Sequence, residues 1–336
     1  MGKKFTIGVL IGNVHTAHPK DLMRGIRAAA SGMDVNVIYF LGTQSVRFNQ
    51  KFALEDFDYQ YNTVYDYAKL AKVDVLIIAY GSLCIFQKNE DKQAFLDKFA
   101  GIPYVLLEDA TDDPRGIYVM VDNFGGMQKC VEHLIIEHHL KHLVYLGGPE
   151  DNQDAIERKA AFLNVMAEHH LPVTPEMMAV GDYSEFVDNL VEQLLKDNPD
   201  AEAIISANDE MTVACYRVCK AHGLRIGKDI LITGFDDVER ARYSNPPLTT
   251  ASQDAYKMGQ IAVEKAVDIC AGRPVESVRL DAELIIRESC GCKVTRRAKE
   301  KADEKTELLH IIDELRLFQH KSWTISDPGP DAGSRE

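Results

Sequence analysis

Short β-branched runs alternate with amphipathic helical patterns along most of the chain, and that alternation leaves few folds open. Phe5–Ile11, Leu22–Ala30, Val35–Phe40, Thr63–Ala71 and Val73–Ala79 read in turn as strand, helix, strand, helix and strand. This is the signature of βαβ units around a parallel sheet. Phe95–Phe99 as helix, Tyr104–Leu107 as strand, a polar turn Asp109–Arg115 and strand Ile117–Val121 end a first set. The pattern restarts with helix Met127–Glu137, strand His142–Leu146, helix Ala155–His169 and strand Met177–Val180. Asp182-Tyr-Ser-Glu185 predicts a capping box opening helix Phe186–Leu195. Strand Ala203–Ser206, helix Met211–Ala221 stopped by Gly223, and strand Ile230–Thr233 complete a second set.

Two similar halves predict an α/β protein of two doubly wound parallel-sheet lobes facing each other. Helix Tyr256–Cys270 and strand Ser277–Ile286 are surplus to the second set and are expected to cross back, so that several crossovers form a hinge. The expected division is 1–120 with 255–280 as the N-terminal lobe and 121–254 with 281–292 as the C-terminal lobe. From Lys293 the composition turns charge-rich, and Leu308, Ile311, Leu315 and Phe318 form an a/d stripe. Residues 293–323 are expected to be a signalling or dimerisation helix, with a helix folded back on the lobes as the alternative. Residues 324–336 are polar and rich in Pro and Gly, the composition of a disordered tail.

A length of 336 residues suits two lobes plus a tail. Against 38 Lys+Arg stand 52 Asp+Glu, a formal charge of −14. That surface repels phosphate backbones and anionic membranes, so neither nucleic acid nor membrane is an expected partner of this chain alone. No apolar run approaches a membrane span, and the N-terminal run Phe5–Ile11 reads as a strand, not a signal peptide. Seven cysteines, an odd number scattered through apparent helices and strands, fit reduced thiols in a cytoplasm.

Ligands of doubly wound sheets bind at the C-terminal ends of the strands, where helix N-termini and loop side chains converge. Asp122-Asn123, Asn208-Asp209-Glu210 and Asp236-Asp237 all follow strands there. Each also fits an ordinary helix cap, and taken singly the two roles stay open. Three histidines, His138, His139 and His142, and the pair Cys290-Gly-Cys292 raise the question of a metal. Helix-end and strand positions turn those histidines apart, and a lone C-x-C is a weak signal, so no metal and no cofactor is expected.

Several motifs in register carry a family resemblance. Val121-Asp-Asn-Phe-Gly-Gly126, His133 through Gly147-Gly148, Glu157-Arg158, Ser206-Ala-Asn-Asp209, Gly234-Phe-Asp-Asp237 and Pro246-Pro-Leu-Thr-Thr250 together resemble the effector-binding core of the lactose-repressor and galactose-repressor family. The resemblance covers roughly Phe5 to Cys290 and implies the fold of the type I periplasmic binding proteins. It also implies a cleft. Arg158 matches the arginine that clamps ligand hydroxyls or a carboxylate, a role suited to a planar fork of donors. Asn208 and Asp236 match the amide and carboxylate that meet the ligand, Glu108 an acidic contact, and Tyr183 an aromatic platform. The first lobe is expected to contribute Asn13 and His15 after the first strand and Ser82 after the third, with Gln253 a further contact.

The resemblance implies a small polar ligand such as a sugar, and a homodimer. In the family a DNA-reading helix-turn-helix precedes this core, whereas here the first strand begins by Phe5, so DNA reading is not expected of this chain. The expected function is a cytoplasmic sensor that couples lobe closure to transcription regulation or to a C-terminal signalling output. A solute-binding protein for transport, or the input half of a diguanylate cyclase or kinase, are the alternatives. An enzyme is not expected. Gly12-Asn-Val-His-Thr-Ala after the first strand lacks a G-x-G-x-x-G turn, and neither a Walker loop nor a nucleophile constellation stands out.

Overall fold

The computed structural model describes residues 4–43, 58–84 and 89–293. The helix and tail expected over 293–336 lie outside the described residues from 294 onward. The first half runs β1 (Phe5–Gly12), α1 (Ala17–Ser31), β2 (Val35–Gly42), α2 (Tyr67–Leu70), β3 (Val75–Ile78), α3 (Tyr80–Leu83), α4 (Asn89–Asp97), β4 (Tyr104–Leu107) and β5 (Gly116–Val121). The second runs α5 (Asn123–Glu132), β6 (Leu143–Gly147), α6 (Gln153–Glu168), β7 (Met178–Val180), α7 (Asp188–Asp197), β8 (Ala203–Ser206), α8 (Asp209–Ala221), β9 (Leu231–Asp236), α9 (Glu239–Tyr243) and β10 (Thr249–Ser252). Then follow α10 (Ala255–Cys270), β11 (Val278–Leu280) and β12 (Glu283–Ile285).

The strands form two six-stranded sheets in the orders β11-β5-β4-β3-β1-β2 and β12-β10-β9-β8-β6-β7. Read from the β2 and β7 edges, both sheets share one doubly wound order, 2-1-3-4-5, with a sixth strand added at the far end. All pairs are parallel except β10 with β12, which run antiparallel from Thr250–Ile285 to Ser252–Glu283. Central strands are buried on both faces, which is why β3, β4, β6 and β8 are continuous apolar or small-residue runs with no polar alternation.

The stretch Ser277–Ile286 is not one strand. Asp281-Ala282 divides it, so that β11 closes the first sheet beside β5 and β12 closes the second beside β10. Helix α10 packs on α1, β3 and β4 of the first lobe. Among the described residues the chain therefore passes between lobes near Asp122, near Gln253 and between Leu280 and Glu283. The α1–α10 crossing is close enough to need glycine: a Cβ on Gly25 would sit 1.9 Å from the Tyr256 carbonyl oxygen, and one on Gly259 would sit 2.4 Å from that of Leu22.

Some local expectations change. Helix α1 starts at Ala17, five residues before Leu22, because a proline, here Pro19, is tolerated in the first turn, where N–H groups have no helical partner. The stretch Thr63–Ala71 is split between the end of a 3-10 segment, Asp58–Asp66, and the single turn α2. Asp182 to Glu185 do not cap a helix. The Asp182 carboxylate accepts from Ser184 N–H in a local turn, Ser184 Oγ accepts from Phe186 N–H, and α7 begins only at Asp188. Glu185 turns instead to Arg240, 3.0 Å away.

Candidate functional site

The C-terminal ends of both sheets meet at a cleft of about 210 Å³, and the topology aims specific loops at it. In the first sheet the switch point lies between β1 and β3. Gly12 ends β1 with Asn13 and Thr16 after it, Gly81 and Ser82 follow β3, and Glu108 follows β4, and all line the cleft. In the second sheet Asn152, Asp154 and Arg158 come from the first turns of α6, Tyr183 follows β7, Asn208 and Glu210 open α8, Asp236 ends β9 and Gln253 follows β10. Of the residues expected at the site, the cleft gathers Asn13, Ser82, Glu108, Arg158, Tyr183, Asn208, Asp236 and Gln253.

His15 is not among them. Thr16 N–H donates to the Asn13 carbonyl at 3.0 Å, and this turn, entered through a left-handed Asn13 with φ 51°, leaves His15 exposed at its tip. The histidine that reaches the cleft is His18, in the first turn of α1. Its Nε2 lies 2.6 Å from Glu108 Oε1. The other Glu108 oxygen accepts from Ser82 N–H at 2.7 Å and from the Ser82 hydroxyl. Burial opposes charge on both partners, yet the pair overrides it: the carboxylate holds His18 up at about 9, and His18 with Ser82 holds Glu108 below the usual carboxylate range.

Arg158 is the opposing anchor. Its side chain is 2% exposed, with Nε donating to Asn123 Oδ1 at 2.8 Å and Nη1 to the Ala207 carbonyl at 2.7 Å. Phe235 lies under the guanidinium, 3.8 Å from ring centroid to Cζ, so one face of the fork is spent on a cation–π contact. Asp236 Oδ1 stands 3.5 Å from Nη1 and Asp154 Oδ2 3.7 Å from Nη2. These are longer than hydrogen bonds, so the carboxylates keep acceptor capacity for a ligand. Burial pushes Asp154 up to about 7 despite Arg158, and pushes Asp236 up as well against Arg158 and His18.

Backbone strain collects at the same place. Asn13, Glu108, Tyr183 and Asp236 line the cleft with φ of 51°, 69°, 66° and 121°. For Glu and Tyr that costs energy that the surroundings must offset, a pattern typical of sites that hold a side chain in a set direction. Tyr183 is pinned by its hydroxyl, 3.4 Å from Asn152 Oδ1, and by its carbonyl, which accepts from Asn208 Nδ2 at 3.2 Å. The Asn208 Oδ1 caps α8 at Met211 N–H, 3.0 Å, so this residue is a cap and a cleft wall at once. Gln253 Nε2 donates to Asp236 Oδ1, orienting that carboxylate.

His18, Asn152 and Asp154 also line the cleft and carry no such expectation from the sequence, whereas Glu210 belongs to the strand-end group Asn208-Asp209-Glu210. Asn152 carries a readable signal, since it caps α6 at Ala155 N–H, 2.9 Å, on a helix whose N-terminus faces the cleft. Asp154 stands four residues before Arg158, hence on the same helix face. Away from the cleft, His139 has φ 57° and ends its helix left-handed, and His142 Nδ1 turns to Asp200 at 2.8 Å. His138 goes elsewhere, to a cluster with His133, Cys290 and Cys292.

Two α/β lobes of identical strand order, with a polar cleft at their switch points, define a periplasmic-binding-protein-like fold. The periplasmic binding protein-like domain family matches residues 131–290. The transcriptional regulator CelR of Thermobifida fusca is 30% identical over 216 residues, 62% of this chain and 62% of the regulator. The chain thus spans about three fifths of the length of that relative. A solved CelR–cellobiose complex superimposes with a TM-score of 0.71 at 23% identity, covering 85% of each chain. A lac repressor dimer bound to operator and an anti-inducer gives 0.71 at 23% identity, over 86% of this chain and 82% of the repressor. These solved structures share the fold. The chain is thus similar to the periplasmic binding protein-like family over residues 131–290, and to a transcriptional regulator over part of its length.

Proposed function

We propose that the chain is a non-catalytic sensor whose cleft closes on a neutral, polyhydroxylated ligand of about monosaccharide size. The observation that carries this reading is the convergence of Glu108 and His18 from one lobe with Arg158, Asp154 and Asp236 from the other on a single cleft. Four carboxyl groups, counting Glu210, face two cationic groups there, so hydroxyl groups find both acceptors and donors, and an anion meets no excess of positive charge. Tyr183 supplies an apolar ring face beside them. The volume of about 210 Å³ lies below the usual range of about 300–1,000 Å³, which favours a small ligand over an oligosaccharide.

Arg158 and Asp236 belong to the second lobe and His18 and Glu108 to the first, so a ligand touching both stabilises the closed arrangement by its differential affinity. Closure then feeds a regulatory output, in transcription or through the residues that follow Cys292, from a homodimer in the cytoplasm. Similarity to transcriptional regulators favours regulation over transport or catalysis. A thermal-shift screen of sugars, nucleosides, small acids and phosphates tests the reading. A ligand at about 100 times its Kd adds about 2.7 kcal/mol to stability. We expect the hits to be neutral sugars or polyols. Hits confined to anions would overturn the assignment.

A further inference from the structure

A second polar cluster lies at the far end of α5, about 15 Å of helix from the Asn123 that holds Arg158, at about 1.5 Å per residue. Helix α5 continues as one π-helical turn, His133–Glu137. An α-helix advances about 100° per residue, so side chains five positions apart point about 140° away from each other. The wider i→i+5 turn closes that gap, and the rings of His133 and His138 come to 5.0 Å between centroids. From the other side, the segment after β12 brings Cys290 and Cys292, separated by Gly291 with φ 85°. That left-handed backbone, open to glycine and strained for other residues, turns the second thiol back beside the first.

His133 Nε2 lies 3.3 Å from Cys290 Sγ and 3.6 Å from Cys292 Sγ, and His138 Nε2 lies 3.4 Å from Cys292 Sγ. All four donor atoms fall within 4.8 Å of one another, the one such group found among the described residues. Tetrahedral zinc, with bonds of about 2.3 Å to sulfur and about 2.0–2.1 Å to nitrogen, sets its S and N ligands about 3.6 Å apart. The three sulfur–nitrogen spacings of 3.3, 3.4 and 3.6 Å lie close to that edge. An outer shell is present too: Thr249 Oγ1 accepts from Arg287 N–H at 2.9 Å, which aims its own proton at Cys290 Sγ, 3.1 Å away.

We propose that His133, His138, Cys290 and Cys292 form a structural zinc site that fastens the segment after β12 to the end of α5. Two imidazoles and two thiolates complete a tetrahedral shell with no position left for water or substrate, which makes the site structural and not catalytic. Binding releases the two thiol protons, since the ligands are the thiolates and the neutral imidazoles. The site anchors the last described residues of the core, beyond which the chain runs on from Lys293.

The test uses the full chain, reduced and stripped with a chelator, then titrated with zinc against a chromogenic competitor and separately with cobalt(II). We expect about one zinc per chain and, with cobalt, the strong visible bands of a tetrahedral ion plus a thiolate charge-transfer band. Cys292→Ser and His138→Ala, both at partly exposed positions, should each weaken uptake by about 100-fold or more, and should respectively lower the charge-transfer band by about half and shift the visible bands. Circular dichroism of the variants reports their folding, and the wild-type cobalt spectrum decides the matter without them. A colourless cobalt titration, or uptake unchanged in both variants, would overturn the proposal.

Discussion

Replacing Glu108 by Gln removes one charge from the His18–Glu108 pair and leaves its shape in place. The amide still accepts from Ser82 and still presents a donor to His18 Nε2, but it no longer favours an imidazolium. In the wild type His18 rises from 6.5 to about 9, worth about 3 kcal/mol at about 1.36 kcal/mol per pH unit. The His18 side chain is 19% exposed, so solvent screening trims this figure only modestly. Because the folded value is raised, the contribution is fully present below pH 6.5 and is lost as pH climbs through about 9. Glu108, held below its usual range, stays charged across that window. Denaturant melts of both proteins at intervals from pH 6 to pH 10 measure the effect. Stability of the wild type relative to Glu108→Gln should fall by about 2 kcal/mol between pH 7 and pH 10. Other groups that titrate there are common to both proteins and cancel. Parallel stability curves would refute the reasoning.

Three further outcomes follow from the same geometry. Arg158→Ala leaves the Ala207 carbonyl and Asn123 Oδ1 without this donor and two buried carboxylates without their cation, so melts should show a loss of about 3–5 kcal/mol; a loss under 1 kcal/mol would contradict the anchoring role. Asp154 has a raised folded value of about 7, so its charge weakens the fold progressively as pH rises from about 4 through 7. Asp154→Asn should accordingly raise the melting temperature at pH 8 and change it little at pH 4, and an equal shift at both pH values would count against the assigned cause. Gly259→Ala drives a Cβ to 2.4 Å from the Leu22 carbonyl and should cost about 1–3 kcal/mol or more, read as a lowered denaturation midpoint with the same slope.

The two-lobe architecture was legible because period-2 and period-3.6 apolar patterns survive in the buried elements, and because Asn208 and Asp236 stand directly after clear strands. Residues set by backbone direction were not legible. His15 and His18 are three positions apart, and only the Asn13 turn decides that the first faces water and the second the cleft. Asp182 and Glu185 carry the spacing of a capping box, yet the left-handed Tyr183 between them makes a local turn that turns the ring into the cleft. His133 and His138 do not read as partners in the sequence, because five-residue spacing separates two side chains on an α-helix; a single π turn brings them together. Similarly, Ser277–Ile286 reads as one apolar strand, and only the lateral partners β5 and β10 reveal that it serves two sheets.

Calorimetric titration of the best neutral sugar from the thermal screen into the wild type, Arg158→Ala and Asp236→Asn examines the cleft itself. The expected result is one site per chain in the wild type and a loss of at least about 10-fold in affinity, 1.4 kcal/mol, in both variants, each folded by circular dichroism. Unchanged affinity in both variants would place the ligand elsewhere and contradict the cleft as the sensing site.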